Sequence, residues 1–189
     1  MRDAGEITED FCRIGRRLVT EGLIGANFGN ISIRSGDGFY ITRHGSYLDL
    51  PGELAYVSLE GPVPRQASSE CRVHRQIYKE TPHRAVVHAH PPHAVALSIS
   101  KNAISPVDSE GLLFCPCIPV VTGFPGSEEL ALNVSQGLLV SSVTIARGHG
   151  TFAGGIDLDE AYIRTSLAEH SCRILILLKQ IIPDAEYST

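Results

Sequence analysis

The chain has 189 residues, of which 43% are hydrophobic and 20% charged, and its formal net charge is -5. This length favours one domain over residues 1–189, and this composition is typical of a folded globular protein. The acidic balance argues against a nucleic-acid partner, because nucleic-acid surfaces carry a clustered basic excess. The arginines near the start, Arg13, Arg16 and Arg17, instead lie on the polar side of an amphipathic helix.

The sequence has no apolar run near the ~20 residues that cross a bilayer, and no signal-peptide core. We therefore expect a cytoplasmic protein with no membrane partner. An odd number of cysteines without secretory context argues against disulfides and predicts buried thiols. The cysteines are Cys12, Cys71, Cys115, Cys117 and Cys172.

The predicted elements begin with a helix. Its apolar residues recur at helical spacing: Ile7, Phe11, Ile14 and Leu18. Gly22 stands where a left-handed residue closes such a helix. Residues 30–34 and 39–42 then alternate like strands, and the turn at 35–38 predicts a hairpin between them.

The second helix is predicted before Pro82, with Ser68 or Ser69 as its N-cap and Glu70 in its first turn. A strand that ends in histidines follows, then a helix over 92–100 and a strand over 118–121.

The C-terminal part is predicted as a helix opened by Ser127, a last strand over 142–146 and a long helix capped by Asp157, with Glu160 in capping-box register. The irregular alternation of strands and helices, with a hairpin at the front, favours an α/β fold whose mixed sheet is covered on both faces.

Two histidines end an apolar β-branched run, Val86-Val87-His88-Ala89-His90. Side chains two residues apart on a strand point the same way, about 6–7 Å apart along the backbone. His149 follows a second apolar run, between two glycines. Three neutral imidazoles with an open fourth position are the ligand set of a catalytic zinc site. The sequence therefore predicts a metalloenzyme.

The remaining histidines carry weaker signals. His93 follows His90 after two prolines and is expected to cap or line the next helix. His74, His83 and His170 are expected to be ordinary hydrogen-bonded core or surface residues.

Further polar groups could complete a site. Glu70, just before the histidine strand, has two roles that spacing alone leaves open: it stabilises the helix dipole, or it is a general base beside a metal. Ser68, Ser69 and the turn Gly29-Asn30 offer hydroxyls, an amide and backbone N–H groups that can hold a phosphate, although serines before helices are commonly caps.

Taken in chain order, four motifs resemble the class II aldolase and adducin family from Phe11 to about Lys179. They are Gly29-Asn30, Ser68-Ser69-Glu70, His88-Ala89-His90 and Gly148-His149-Gly150. The resemblance implies an α/β fold of three αβα layers around a mixed, largely antiparallel sheet, and a homotetramer.

The resemblance also implies roles for single residues. His88, His90 and His149 would bind Zn2+, or another divalent ion such as Mn2+ or Co2+. Glu70 would be a fourth ligand that leaves when substrate binds and then acts as acid and base. The residues implied at the substrate phosphate are Asn27, Asn30, His44, Gly45, Ser68 and Ser69.

The implied reaction is retro-aldol cleavage of a ketose 1-phosphate, such as L-fuculose 1-phosphate, to dihydroxyacetone phosphate and an aldehyde through a metal-stabilised enediolate. A ribulose-5-phosphate 4-epimerase, a methylthioribulose-1-phosphate dehydratase and a non-catalytic adducin-like binding module are the alternatives. Glu70 favours an aldolase over the epimerase, whose relatives tend to carry Asp there. The three histidines favour an enzyme over a binding module.

Two features depart from the family pattern. Thr42-Arg43-His44-Gly45 stands where the family often has Thr-Pro-x-Gly. The tyrosine that family members take from a second subunit has one candidate here, Tyr187, for which a frayed terminus is the alternative.

Overall fold

The structure is a computed structural model that describes residues 4–182. Tyr187 lies outside these residues. The helices of this part of the chain are α1 (Ala4–Thr20), α2 (Cys71–Glu80), α3 (Pro92–Ser98), α4 (Ser109–Phe114), α5 (Glu128–Val140) and α6 (Leu158–Ile181). The strands are β1 (Asn30–Ser35), β2 (Gly38–Ile41), β3 (Ala55–Ser58), β4 (Ala85–Ala89), β5 (Ala103–Ile104), β6 (Ile118–Val121), β7 (Val143–Ala146) and β8 (Gly150–Gly155). Among the residues described, no helix is both long and apolar enough to cross a membrane.

The eight strands form one sheet in the order β3-β2-β1-β4-β8-β7-β6-β5. Neighbouring strands run antiparallel, with the exception of the parallel pair β6 and β7. The predicted mixed, largely antiparallel sheet is therefore confirmed.

Helices cover both faces of this sheet. On one face, α2 and α5 pack through Ile77 and Leu130 against Phe152 of β8. On the other face, α1 and α6 pack against alternate residues of the same strands, such as Val87 and Ala153, and α3 lies beside α6. Because side chains alternate along a strand, each central strand supplies both cores. This arrangement is the predicted three-layer α/β fold.

Several helix ends match the sequence signals. Gly22 has φ 69° and closes α1, with its N–H donating to the Val19 carbonyl at 3.0 Å. Ser127 caps α5 by accepting the Leu130 N–H at 3.1 Å. Asp157 caps α6 by accepting the Glu160 N–H at 2.8 Å.

The predicted cap of α2 is wrong. The helix begins at Cys71, so Glu70 occupies the N-cap position and Ser68 and Ser69 precede it. The Ser68 N–H donates to the Thr42 carbonyl at 3.2 Å, which keeps the chain extended there. The Ser68 hydroxyl then accepts the Glu70 N–H at 3.3 Å, in a local turn rather than a helix cap.

The chain before α6 also differs from the prediction. The strand over 142–146 is not the last one, because β8 follows the His149 turn. This strand carries three glycines, and neither Gly150 nor Gly154 has room for a Cβ atom. Its low strand propensity explains why the sequence did not indicate it. β3, β5 and α4 were not predicted either.

The five cysteines are free, so the absence of disulfides is as expected. Cys71, Cys115 and Cys172 are buried and Cys12 is half-buried. Cys117 is exposed, and the prediction of a buried thiol is wrong there because the residue lies in the surface connection between α4 and β6.

Candidate metal centre and active site

The sheet brings the three predicted metal ligands together. His88 lies in β4, His90 follows its end, and His149 lies in the turn between β7 and β8. Because β8 pairs with β4, with Ala89 opposite Thr151, the turn that precedes β8 falls beside the end of β4. One ligand atom from each histidine lies within 4.8 Å of the others.

The spacing of the ring nitrogens suits a single ion. The Nε2 atoms of His88 and His90 are 3.1 Å apart. Two nitrogen ligands that each lie ~2.1 Å from a tetrahedral zinc ion are about 3.4 Å from one another. The three ring centroids are 4.8 to 4.9 Å apart, and the rings meet edge to face.

The hydrogen bonds leave ring nitrogens open for a metal. His88 Nδ1 lies 2.9 Å from the Thr151 carbonyl, which can only accept, so Nδ1 carries the proton and Nε2 keeps its lone pair. His149 Nδ1 is buried and has no hydrogen-bond partner among the residues described. A fixed tautomer and an unpartnered nitrogen are what a metal site needs from its histidines.

Burial keeps these imidazoles neutral. It lowers the pKa of His88 well below its usual value, with smaller contributions from the neighbouring His90 and His149. Burial also lowers the pKa of His90 to about 4 and that of His149 below its usual range. Because the neutral ring is the form that binds a metal, the three residues fit a divalent transition-metal ion.

Two aromatic rings hold the imidazoles in place. Phe152 is stacked on His88, with centroids 4.1 Å apart and planes 13° apart. Phe28 is stacked on His90, with centroids 5.5 Å apart and planes 2° apart. Phe152 is buried, whereas Phe28 is exposed and lines the mouth of the site.

The histidines open onto a cavity of about 310 Å³. Every residue that the sequence analysis assigned to the site lines this cavity: Asn27, Asn30, His44, Gly45, Ser68, Ser69, Glu70, His88, His90 and His149. Gly29, predicted as part of the phosphate-binding turn, also lines the cavity, together with Phe28, Arg43 and Pro125, which the sequence analysis did not assign to the site.

Glu70 presents a buried carboxylate to the cavity. Its side chain is 4% exposed, and Oε2 has no hydrogen-bond partner among the residues described. Burial raises the pKa of Glu70 to about 7, and a hydrogen bond from the Gly126 backbone opposes this rise. The ligand atoms that lie within 4.8 Å of one another belong to the three histidines and not to Glu70. Its role as a fourth ligand stays a prediction.

The wall of the cavity beside the histidines is polar. Asn30 is buried and pairs with His88 across β1 and β4, and its Oδ1 has no partner in the described part of the chain. Ser68 is buried and Ser69 exposed. Gly45, at φ 76°, turns the chain beside the exposed His44.

Arg43 adds a positive charge that the sequence analysis missed. Its guanidinium lies 2.5 Å from the exposed Glu53 carboxylate, and its Nε is buried without a described partner. Arg43 pairs with Ala67 in an isolated bridge, which sets it beside Ser68. The departure from Thr-Pro-x-Gly was the signal that could have found it.

The weaker candidates lie elsewhere. His93 contacts Glu169 of α6 and is not part of the three-histidine group. His74 is fully buried, His83 half-buried and His170 exposed, so they are core and surface residues as expected. Arg13 contacts the carboxylate of Asp159 on α6 at 2.5 and 2.6 Å.

The fold and the three-histidine cluster define a metal-dependent enzyme of the α/β class. The chain belongs to the Class II Aldolase and Adducin N-terminal domain family, whose profile matches residues 9–176. It is therefore a class II aldolase, a lyase, and the expected family is confirmed. Class II aldolases are metal-dependent, and the three histidines are the residues that could hold the ion.

The chain is similar to L-fuculose phosphate aldolases from two organisms. L-fuculose phosphate aldolase of Methanococcus maripaludis is 31% identical over 181 residues, which are 93% of this chain and 99% of that protein. The crystal structure of L-fuculose-1-phosphate aldolase from Thermus thermophilus is 36% identical, with a TM-score of 0.92, and covers 97% of this chain and 100% of that one.

A third relative acts on other sugars. The 5-methylthioribulose-1-phosphate/5-deoxyribulose-1-phosphate aldolase of Escherichia coli is 30% identical over 164 residues, which are 82% of this chain and 76% of that protein. The chain thus resembles aldolases named for different phosphorylated sugars, and resembles L-fuculose phosphate aldolases over more of its length.

Proposed function

We propose that the chain is a zinc-dependent aldolase that cleaves a ketose 1-phosphate, such as L-fuculose 1-phosphate, to dihydroxyacetone phosphate and an aldehyde. One observation carries the proposal: the three histidines and the buried carboxylate of Glu70 line the same cavity as the polar wall around Asn30 and Ser68. A metal, a base and an anion-binding wall are the groups that this reaction needs.

The polar wall is proposed to hold the phosphate. Ser68 and Ser69 offer hydroxyls, Asn30 an amide, and Gly45 a backbone N–H in a turn. Asn27 and His44 lie beside them. Backbone and side-chain donors of this kind bind phosphate without lysine. The phosphate end would fix the position of the sugar relative to the histidines.

The histidines are proposed to hold Zn2+, with Glu70 as a fourth ligand until substrate binds. The ion supplies a Lewis acid for the negative charge that develops on the carbonyl oxygen. Glu70 Oε2, which has no described partner, then moves the proton at C3.

The protons balance in both directions. In cleavage, the C3–C4 bond breaks, the C4 hydroxyl passes its proton to water as C4 becomes the aldehyde carbonyl, and Glu70, protonated from water, delivers a proton to C3 to give dihydroxyacetone phosphate. In condensation, Glu70 removes that proton and water returns one to the C4 oxygen. No lysine Schiff base takes part.

The test is an assay on several sugar phosphates, made with protein whose bound metal is removed and then replaced. The purified protein is analysed for metal, stripped with a chelator and reloaded with Zn2+, Mn2+ or Co2+. It is then assayed on fuculose, rhamnulose, ribulose and methylthioribulose 1-phosphates. We expect release of dihydroxyacetone phosphate that chelation abolishes and a metal restores. Absence of release by folded, metal-loaded protein would contradict the proposal.

The same panel separates the alternatives. Ribulose 5-phosphate added to it would change to its 4-epimer without aldehyde release if the chain were an epimerase. Loss of water from methylthioribulose 1-phosphate would identify a dehydratase. A folded protein that binds no divalent ion would be the binding module.

We also propose that the chain forms a single domain, as its length predicts, acts in the cytoplasm, and assembles as a homotetramer, as the family resemblance implies. Apolar side chains on the outer surfaces of α4 and α5 support the assembly, because such residues favour burial against another copy. They are Leu112, Leu113, Phe114, Leu139 and Val140. Light scattering during size-exclusion chromatography measures the mass, and a monomer would contradict the tetramer.

A further inference from the structure

α3 connects two of the three histidines. The helix begins at Pro92, two residues after His90. Its other end lies against the turn that carries His149, where the Gly148 N–H donates to the Ser98 hydroxyl at 2.9 Å. The seven residues of α3 therefore span the distance between His90 and His149, which lie in different loops.

Glu169 of α6 fixes the first end of α3. Pro91, the N-cap residue, provides no side-chain cap. The Glu169 carboxylate instead accepts the backbone N–H groups of His93 at 3.1 Å and Ala94 at 2.9 Å, and contacts His93 Nδ1 at 2.6 Å. Glu169 is 9% exposed, so water competes little with these contacts.

Arg147 fixes the second end. Its guanidinium donates to the carbonyls of Ser98 at 2.6 Å and Ile99 at 3.2 Å, and to Asn102 Oδ1 at 2.8 Å. Its own backbone N–H donates to the Val121 carbonyl at 2.8 Å, which ties it to β6. A carboxylate at the start and a guanidinium at the end of a helix both complement the helix dipole.

The histidines differ in how they are held. His88 lies inside a strand, and its ring contacts the Thr151 carbonyl. His90 and His149 lie outside the strands, where loop and turn hydrogen bonds from their backbone N–H groups to the carbonyls of Leu23 and Ala146, each at 3.0 Å, hold the chain. A metal site binds tightly only if its ligands are held in place before the ion arrives, because ordering them costs free energy.

We propose that Arg147 and Glu169 are positioning residues that, through α3, hold His90 and His149 at the separation that a shared metal ion needs. The inference rests on the proposed three-histidine metal centre and adds the residues that hold two of its ligands in position. Neither residue lines the cavity that the histidines face.

Four variants test the inference. Arg147→Met keeps an unbranched stem and removes every side-chain donor, while Arg147→Lys restores one charged donor group. Glu169→Gln removes the charge at the other end of α3. Arg173→Met, at an exposed position of α6, is the matched control. The measurements on metal-free protein are Co2+ titration against a competing chelator, the visible absorption spectrum of bound Co2+, and thermal unfolding.

We expect Arg147→Met to weaken Co2+ binding about 10- to 100-fold, the usual effect of losing a group that orients a metal ligand, and to change the Co2+ spectrum. Arg147→Lys should recover part of the affinity, Glu169→Gln should shift it in the same direction as Arg147→Met, and Arg173→Met should match the unmodified protein. If Arg147→Met does not fold, the Lys and Gln variants make the comparison.

Two results would overturn the inference. One is an unchanged Co2+ affinity and spectrum in the variants, even where thermal unfolding shows lower stability, because α3 would then serve stability alone. The other is an unmodified protein that binds no Co2+, which would remove the proposed metal centre as well. The first result leaves the proposed aldolase function standing, so the two failures are distinguishable.

Discussion

Phe152 of β8 lies opposite His88 of β4, and its ring is stacked on the imidazole with centroids 4.1 Å apart. Replacing Phe152 with Leu keeps an apolar side chain but removes the flat surface against which the imidazole rests. Aromatic pairs contribute about 0.5–1.5 kcal/mol, which corresponds to about 2- to 13-fold in Kd, and we expect Zn2+ binding to weaken by this factor.

The control for this change is Phe39→Leu. Phe39 is equally buried in the same core but packs against Tyr78. Both variants should lose up to about 1.5 kcal/mol in the free energy of unfolding. Equal loss of Zn2+ affinity in both, measured by chelator competition, would contradict a specific role for Phe152.

Gly150 has no space for a larger residue beside the metal centre. A Cβ atom there would lie 2.3 Å from the Ala89 carbonyl oxygen, 2.9 Å from His90 Cδ2 and 3.1 Å from His88 Cε1. Gly150→Ala should therefore push the imidazoles apart and lower aldol cleavage about 100-fold, as displacements near 1 Å do. Gly25→Ala, where a Cβ meets nothing within 4 Å, should leave cleavage unchanged.

Glu70→Gln separates proton transfer from metal binding. The amide keeps the size of the side chain but cannot carry a proton to or from C3, so cleavage should fall about 10²–10⁴-fold while the bound metal stays stoichiometric. Turnover and metal content are measured on the same preparation. Glu129→Gln, at an exposed position of α5, is the control. Normal turnover in Glu70→Gln would refute its role as acid and base.

Arg43→Gln tests the positive charge in the cavity. A charge-assisted hydrogen bond contributes about 1.5–3 kcal/mol, and solvent reduces this because the side chain is 39% exposed. We expect KM for a ketose phosphate to rise about 3- to 10-fold, with kcat unchanged. Inhibition by inorganic phosphate should weaken in parallel. Arg65→Gln, an exposed arginine outside the cavity lining, should change neither value.

His74 makes stability depend on pH. It is fully buried, with Nδ1 2.6 Å from the Ser32 hydroxyl, and burial lowers its pKa to about 3. Because the unfolded chain binds this proton near pH 6.5 and the folded chain does not, stability is full above pH 6.5 and falls as the pH drops towards 3.

The measurement is urea unfolding of metal-free protein at pH 7.5 and 5.5. His74→Leu should lose about 1.4 kcal/mol less than the unmodified protein between these pH values. The other histidines are present in both proteins, so their contributions cancel in the comparison. An identical pH dependence in both proteins would contradict the prediction.

Local signals predicted much of the fold. The spacing of Phe11 and Leu18, the cap at Asp157 and the apolar run before His88 each lie within one stretch of chain, and each was confirmed. β8 was not predicted, because half of its residues are glycine and its place in the sheet comes from β4 and β7 on either side. The sequence of β8 alone carries no such information.

For the candidate site too, local signals gave correct predictions, and features that depend on contacts between distant parts of the chain were missed. The residue types and their spacing indicated seven of the ten predicted positions, and the family resemblance added Asn27, His44 and Gly45; the structure brings all ten to one cavity. Arg43 was missed because its place depends on pairing with Ala67, a contact between distant parts of the chain. The wrong helix cap at Ser68 has the same origin, since that pairing keeps the backbone extended as far as Ser68.

Asn30 of β1 pairs with His88 of β4. The register between these two strands therefore sets the position of the polar wall, which is proposed to bind the phosphate, relative to the metal centre. A slip of one residue between these strands moves the wall by ~3.3 Å and turns Asn30 to the opposite face. The metal ligands, held by β4 and β8, would survive such a slip. Molecules with the slipped register would therefore still bind metal but would not catalyse cleavage. In a preparation of the protein, the number of active sites divided by the number of bound metal ions gives the fraction of molecules in which β1 and β4 are natively paired.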